Sequence, residues 1–300
     1  DSPSGFLANG DYLWVKKMVN TEEMYGFRFA TLFWAAVLLG VLYKGLADGV
    51  WYPSVLVSVF FPFVFFVRLF TYKSLETSRH SFFITGLILI GILWSFYQYF
   101  TGKDNLPESL ITVFSLVLWL IYIYWYSLFP FRFSTALKDG HKLPVLSFTD
   151  QEGNPVSTTD FKGKKLIYLF YRGNWCPLCM AQIKEVSKHY RELHKLGAEV
   201  LLISPQPHKF TINLAKKMDV PFQFLCDDDN QVARQLGIDA PGGTPFGIEV
   251  LGYDSDTVLP TVIITDERGK IIYSDQTDNY RVRPEPQAFI EAIENYKPNP

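Results

Sequence analysis

Apolar and polar positions divide the chain into two unlike halves. Before about residue 130, the apolar residues come in four long charge-free stretches: Phe29–Tyr43, Val50–Val67, Ser81–Phe100 and Leu110–Phe129. Three of them reach the roughly 18 residues a helix needs to cross the hydrocarbon of a bilayer. The shorter first one extends past Lys44 if that side chain snorkels. One such stretch alone reads as the core helix of a soluble protein. Four in succession, separated by short charged turns, predict an all-α four-span transmembrane bundle over residues 28–130. Trp51, Tyr52, Tyr97, Tyr99, Tyr124, Trp125 and Tyr126 cluster near the span ends, as an interfacial belt does. Pro53 and Pro62 predict a kink in the second span. Residues 1–27 lack the short apolar core and small-residue site of a cleavable signal. Their Tyr12–Lys17 stretch predicts a segment lying along the interface.

After a polar linker, 131–142, the pattern switches to alternating short strands and helices over 143–300. Leu166–Tyr171 and Glu199–Ser204 are wholly or mainly apolar runs of the kind buried central parallel strands need. Helical periodicity covers Pro177–Lys195, Lys209–Met218, Asn230–Leu236 and Pro286–Asn295, with a short strand at Phe222–Leu225. Thr261–Thr265 and Lys270–Tyr273 flank Asp266-Glu267-Arg268-Gly269 and predict a hairpin. The order predicts an α/β domain with a mixed sheet.

Charge adds an orientation. One side of the four-span bundle would hold Lys16, Lys17, Arg28, Arg68, Lys73, Arg79, Arg132, Lys138 and Lys142, and the other only Lys44 and Lys103. The positive-inside rule then makes this a multi-pass protein of the bacterial inner membrane, with its second half in the cytoplasm. The net charge of the 300 residues is -2, which gives no reason to expect nucleic acid as a partner. Before residue 141 the only histidine is His80 and there is no cysteine. The first half therefore offers neither a bis-histidine haem site nor thiol exchange. Its simplest role is docking, to a larger membrane complex or to a second copy.

The three cysteines, Cys176, Cys179 and Cys226, are too few for a disulfide-stapled scaffold. Cys176-Pro177-Leu178-Cys179 follows the Leu166–Tyr171 strand and opens the next helix. Free N–H groups and the dipole at a helix start stabilise a thiolate. This predicts an accessible Cys176 as nucleophile and Cys179 below it as the resolving thiol. A structural zinc site needs four ligands, and no second CxxC exists to supply them. Cys226 reads most simply as a buried thiol. Lys184, His189 and His194 fall on a solvated helix face, and His208 at a helix start.

Residues of about 141–300 resemble the redoxin group of the thioredoxin superfamily, which holds alkyl hydroperoxide reductases, thiol-specific antioxidants and peroxiredoxin-like proteins. The resemblance rests on Tyr171-Arg172-Gly173-Asn174-Trp175-Cys176-Pro177-Leu178-Cys179, on Ile203-Ser204-Pro205, on Cys226-Asp227-Asp228-Asp229-Asn230, on Leu259-Pro260-Thr261 and on Tyr280-Arg281-Val282-Arg283-Pro284-Glu285-Pro286. It implies a thioredoxin-like fold and a redox-active Cys176–Cys179 disulfide with no other cofactor. Peroxiredoxins attack peroxide from the last residue of Pro-x-x-x-Thr-x-x-Cys. That frame places Cys179 at the attacking position, Cys176 at the threonine and Arg172 at the proline. Thioredoxins instead hold a cis proline before the strand that begins here at Thr261, the position of Pro260. They also bury an acid where this chain has Phe170.

The dithiol and Pro260 favour a membrane-anchored thiol–disulfide oxidoreductase, with Trp175, Pro177 and Pro260 shaping the contact with a protein thiol or disulfide partner. The alternatives are a thiol peroxidase acting on hydroperoxides, with Arg172 beside the thiolate, and an accessory subunit of a respiratory or transport complex. No glycine-rich nucleotide motif is present, so electrons come from another protein or a small thiol. Arg281, Arg283 and Glu285 read as structural pairing.

Overall fold

The computed structural model describes residues 32–47, 49, 52–71, 78–103, 106–129, 134–218, 220–245 and 247–297. The interfacial segment expected over 1–27 lies outside them, as do Trp51, Lys73 and Arg132. The chain divides into two compact units, one of residues 23–128 and the other containing 129–300.

Among the described residues the first unit contains four helices: α1 (Leu32–Ala47), α2 (Pro53–Thr71), α3 (Phe82–Phe100) and α4 (Leu106–Ile121). The last continues as a π-helical turn, Tyr122–Tyr126. Four membrane spans were expected. Among the described residues only Phe82–Phe100 and Leu106–Tyr126 are long and apolar enough to cross a bilayer. The described apolar parts of α1 and α2, Leu32–Ala47 and Pro53–Leu69, are shorter. Lys44 lies within α1 rather than beyond it, and α2 runs through Pro62.

Polar groups of this unit face inward. Trp34 Nε1 donates to Ser115 Oγ at 2.8 Å, and Ser115 Oγ donates to the Ser58 carbonyl at 2.8 Å. Ser95 and Ser109 share a hydrogen bond of 3.0 Å, and Trp119 Nε1 donates to Thr85 Oγ1 at 3.0 Å. Gly91 lets α3 approach α2 closely, because a Cβ there would lie 2.8 Å from the Ser54 carbonyl. Large apolar side chains such as Phe82, Phe83, Leu93 and Phe100 point outward, each more than two-thirds exposed.

The second unit is a thioredoxin-like α/β fold. Its strands are β1 (Ser147–Asp150), β2 (Pro155–Ser157), β3 (Lys165–Phe170), β4 (Ala198–Ser204), β5 (Gln223–Cys226), β6 (Asp239–Ala240), β7 (Thr257–Val258), β8 (Thr261–Thr265) and β9 (Ile271–Asp275). Seven of them form one sheet in the order β2-β1-β5-β4-β3-β8-β9. β3, β4 and β5 run parallel; the remaining pairs are antiparallel, so the sheet is mixed. β3 is central and buried on both faces from Leu166 onward, as its unbroken apolar run requires. The helices are α5 (Pro177–Lys188), α6 (Tyr190–Lys195), α7 (His208–Lys217), α8 (Gln231–Leu236) and α9 (Pro286–Asn295).

The single helix expected over Pro177–Lys195 breaks at His189. That residue leaves helical geometry (φ -95°, ψ 7°), and its Nδ1 lies 3.0 Å from the Glu185 carbonyl. Residues 134–142, expected as linker, pack onto the sheet domain. Leu137 is fully buried in its core, Ser134 Oγ donates to the Leu236 carbonyl at 2.7 Å, and Lys142 bridges to Lys270.

Candidate active site

β3 delivers the chain to the site. Tyr171 N–H still donates to the Ile203 carbonyl at 2.9 Å, and the backbone then turns through Arg172–Trp175 into α5. Gly173 sits at φ 151°, where a Cβ would lie 2.7 Å from Trp175 Nε1. Only glycine allows the indole to fold back so closely. Gln206, buried beyond the end of β4, pins the turn. Its Oε1 accepts from Asn174 N–H at 2.9 Å, and its Nε2 donates to the Tyr171 hydroxyl at 3.0 Å. Asn174 Nδ2 also donates to the Phe210 carbonyl at 2.9 Å.

Cys176 is the N-cap of α5 with extended backbone (φ -85°, ψ 110°), and Pro177 occupies the first helical position. Cys179 lies in the first turn. Both sulfurs are free thiols and both are buried: Cys176 is 3% exposed and Cys179 0%. The accessible nucleophile expected from sequence is therefore a buried one. The Cys179 thiol hydrogen-bonds Cys176 and is the main reason that the Cys176 pKa falls, to about 6. Burial opposes this, while Arg172 and Arg283 add positive potential. Burial, together with the neighbouring Cys176, pushes the Cys179 thiol well above its usual range. The pair thus holds one proton where two isolated thiols would hold two near neutral pH.

Arg172 reaches across the turn. Its guanidinium lies 4.7 Å from the centre of the Trp175 ring, and Nη2 donates to the Gly243 carbonyl. Arg283 was read from sequence as structural pairing. In the structure it is 7% exposed, and none of its three guanidinium nitrogens has a hydrogen-bond partner. Gln182, one turn after Cys179 on α5, ties the Arg283 segment to this helix: its Nε2 donates to the Pro284 carbonyl at 3.4 Å. Burial lowers the Arg283 pKa, and the two cysteines are the largest influences holding its charge in place. Sequence reasoning missed this role because an arginine in a Pro- and Glu-flanked tail gives no sign of folding under the dithiol.

Pro260 was expected as a cis residue beside the dithiol. The structure contains no cis peptide among the described residues, and Pro260 is buried rather than part of a contact surface. Its backbone follows β7 as a trans connection into β8. Pro177 and Trp175 remain half-buried at the mouth of the site. Cys226 ends β5 as a buried thiol donating to Thr211 Oγ1 at 3.4 Å, in a place of its own rather than at the dithiol. His208 pairs with Asp228 at 3.1 Å on the surface. Among the described residues no three His, Cys, Asp or Glu side chains converge as metal ligands.

Residues 140–274 match the AhpC/TSA family. A peroxiredoxin Q of Sedum lineare chloroplasts is 35% identical over 124 residues, 41% of this chain and 67% of that protein. The chain spans only 45% of a second chloroplast peroxiredoxin Q, from Gentiana triflora. A putative peroxiredoxin bcp of Coxiella burnetii is 32% identical over 45% of this chain and 86% of its own length. The crystal structure of peroxidoxin BcpB from Mycobacterium tuberculosis aligns over 54% of this chain and 99% of that one, with 17% identity and a TM-score of 0.44. The helical unit lies outside the family match, as does Arg283. The chain belongs to the AhpC/TSA family, and its second unit is a thioredoxin/peroxiredoxin-like oxidoreductase domain.

Proposed function

We propose that this chain is a thiol peroxidase that reduces small hydroperoxides with the Cys176–Cys179 dithiol. The observation that carries this reading is the burial of both sulfurs. A hydroperoxide of few atoms fits such a site, whereas the disulfide of a folded protein must be brought sulfur to sulfur with its attacker. The exchange reading drawn from sequence relied on an accessible Cys176, whereas Cys176 is 3% exposed. The peroxiredoxin relatives lend the peroxidase further support.

In the proposed mechanism the Cys176 thiolate attacks the terminal peroxide oxygen, the O–O bond breaks, and the alkoxide leaves. Cys179 gives its proton to that alkoxide, which departs as an alcohol. Cys176 is then a sulfenic acid. The Cys179 thiolate attacks the sulfenic sulfur, the S–O bond breaks, the hydroxide is protonated to water by an acid of the buffered solvent, and the pair becomes a disulfide. Two electrons from an external thiol restore the dithiol. Arg172 and Arg283 place positive charge where the thiolate and the departing oxygen carry negative charge.

The test uses the full chain. Cys179→Ser is expected to react with hydrogen peroxide at least 100-fold faster than free cysteine and to accumulate a dimedone-reactive sulfenic acid at Cys176. Cys176→Ser is expected to lose that rate. A wild-type rate no better than free cysteine removes the peroxidase reading, and a fast Cys176→Ser assigns the attack to Cys179.

For the first unit we propose residence in a bilayer through α3 and α4. Its inward-facing hydroxyls and outward-facing phenylalanines and leucines suit a lipid solvent better than water. With Arg68 and Arg79 before α3, Lys103 between the helices, and Lys138 and Lys142 after α4, the positive-inside rule puts the redox domain in the cytoplasm.

A further inference from the structure

We infer that Arg283 sets the redox poise of the Cys176–Cys179 pair, because its buried guanidinium loses its main counter-charge when the pair is oxidised. The inference takes from the peroxidase reading only the identity of the oxidant.

The geometry has three parts. First, the guanidinium is buried with all three nitrogens lacking a hydrogen-bond partner. A buried cation in that condition carries a large desolvation cost unless a negative charge sits beside it. Second, its position is fixed on the dithiol helix. Cys179 and Gln182 are one turn apart on α5, and Gln182 holds the carbonyl of Pro284, the next residue after Arg283. Third, the strongest charge influences on it are Cys176 and Cys179, then the carboxylate of Asp275 at the end of β9 and the like-charged Arg172. Arg172 repels it, which leaves the thiolate as the main compensating anion.

Oxidation removes that anion. The thiolate–thiol pair loses two electrons and one proton to become a neutral disulfide. The hydroperoxide takes up the two electrons, that proton and a second one from solvent to give an alcohol and water. Arg283 then stays buried beside an uncharged disulfide, with Asp275 as the remaining acid. The reduced state is thereby favoured relative to the oxidised one. This is the logic by which a stabilised reduced form makes a dithiol a strong oxidant and its disulfide easy to reduce. A peroxidase gains from this bias, since each turnover ends with a disulfide that an external thiol must reopen.

The experiment is a redox titration of the full chain against reduced and oxidised glutathione, with acid quench and mass-tag counting of thiols. Arg283→Met removes the charge while keeping an unbranched apolar stem, and loss of an unpaired buried charge is tolerated by packing. It is expected to shift the equilibrium at least tenfold toward disulfide, equivalent to about 30 mV for this two-electron couple. Arg283→Lys keeps the charge and is expected to shift it less than threefold. The thiolate absorbance of Cys176 in Arg283→Met is expected to titrate at higher pH than in the wild type. Both redox states are folded forms of the same chain, so a purely structural role for Arg283 leaves their ratio unmoved. An Arg283→Met equilibrium within twofold of wild type, or an equal shift in Arg283→Lys, overturns the inference. Slow reaction with peroxide beside a tenfold shift in Arg283→Met would instead leave the inference standing and remove only the peroxidase reading.

Discussion

At the scale of single residues, the chemistry rests on how one proton is shared between two sulfurs. Cys176 titrates near 6, below the ordinary thiol value of 9.0, because the Cys179 S–H and two arginines favour its anion. A depressed acid is charged above its folded pKa, so thiolate is lost as pH falls through about 6. The second-order rate with hydrogen peroxide is therefore expected to be flat from pH 7 to 8.5 and to halve near pH 6, as followed by stopped flow. A midpoint above 8 would mean that the surrounding charges do not act on Cys176. The two cysteines were legible in sequence from their place between a strand and a helix. Their burial was not, because it arises from tertiary packing that no local pattern encodes. Arg283 was illegible for the same reason: its meaning lies in the missing partners of its nitrogens, which no local pattern encodes.

At the scale of elements, the apolar runs behaved as physical expectation requires. β3, β4 and β8 appear where wholly apolar stretches demanded buried strands, and α9 spans the predicted Pro286–Asn295. β1 and β2 were missed because they are short, half-exposed edge strands joined through a turn that the Asp150 carboxylate organises. The turn before α5 is the element whose integrity matters most to the site. Gly173→Ala places a Cβ 2.7 Å from the indole nitrogen in a backbone region that side chains avoid. It is expected to cost about 1–3 kcal/mol and to displace Trp175 from Arg172. Both effects are measurable as a lower unfolding temperature and a changed fluorescence on peroxide addition. Unchanged values would show that the indole does not need its present seat.

At the scale of the whole molecule, the first unit pairs buried hydroxyls with an apolar exterior around a core of Trp34, Phe66, Ile88 and Trp119. Trp34, Ser58, Ser95, Ser109 and Ser115 satisfy one another inside, while phenylalanines and leucines cover the outside. Four apolar stretches were visible in the sequence, but how many cross a bilayer depends on where helices begin and end. Those limits depend on tertiary packing and placed Lys44 inside α1. The unit is expected to remain in the membrane pellet after alkaline carbonate extraction, and release into the supernatant would contradict residence in a bilayer. Gly91→Leu, which drives a side chain from α3 into α2, is expected to lower the yield of membrane-integrated protein severalfold.

The tie between Gln182 and Pro284 also bears on how the chain is made. The dithiol leaves the ribosome roughly a hundred residues before Arg283, which at ordinary synthesis rates is a delay of about 5–20 s. During that interval Cys176 and Cys179 exist without the tail that completes their charge environment. The nascent thiols lack the Arg283 share of that environment until the last strand and the segment after it have folded. A chain cut short before residue 283 would keep both sulfurs and Arg172 yet lack that charge, so its Cys176 is expected to hold its proton to higher pH than in the full chain.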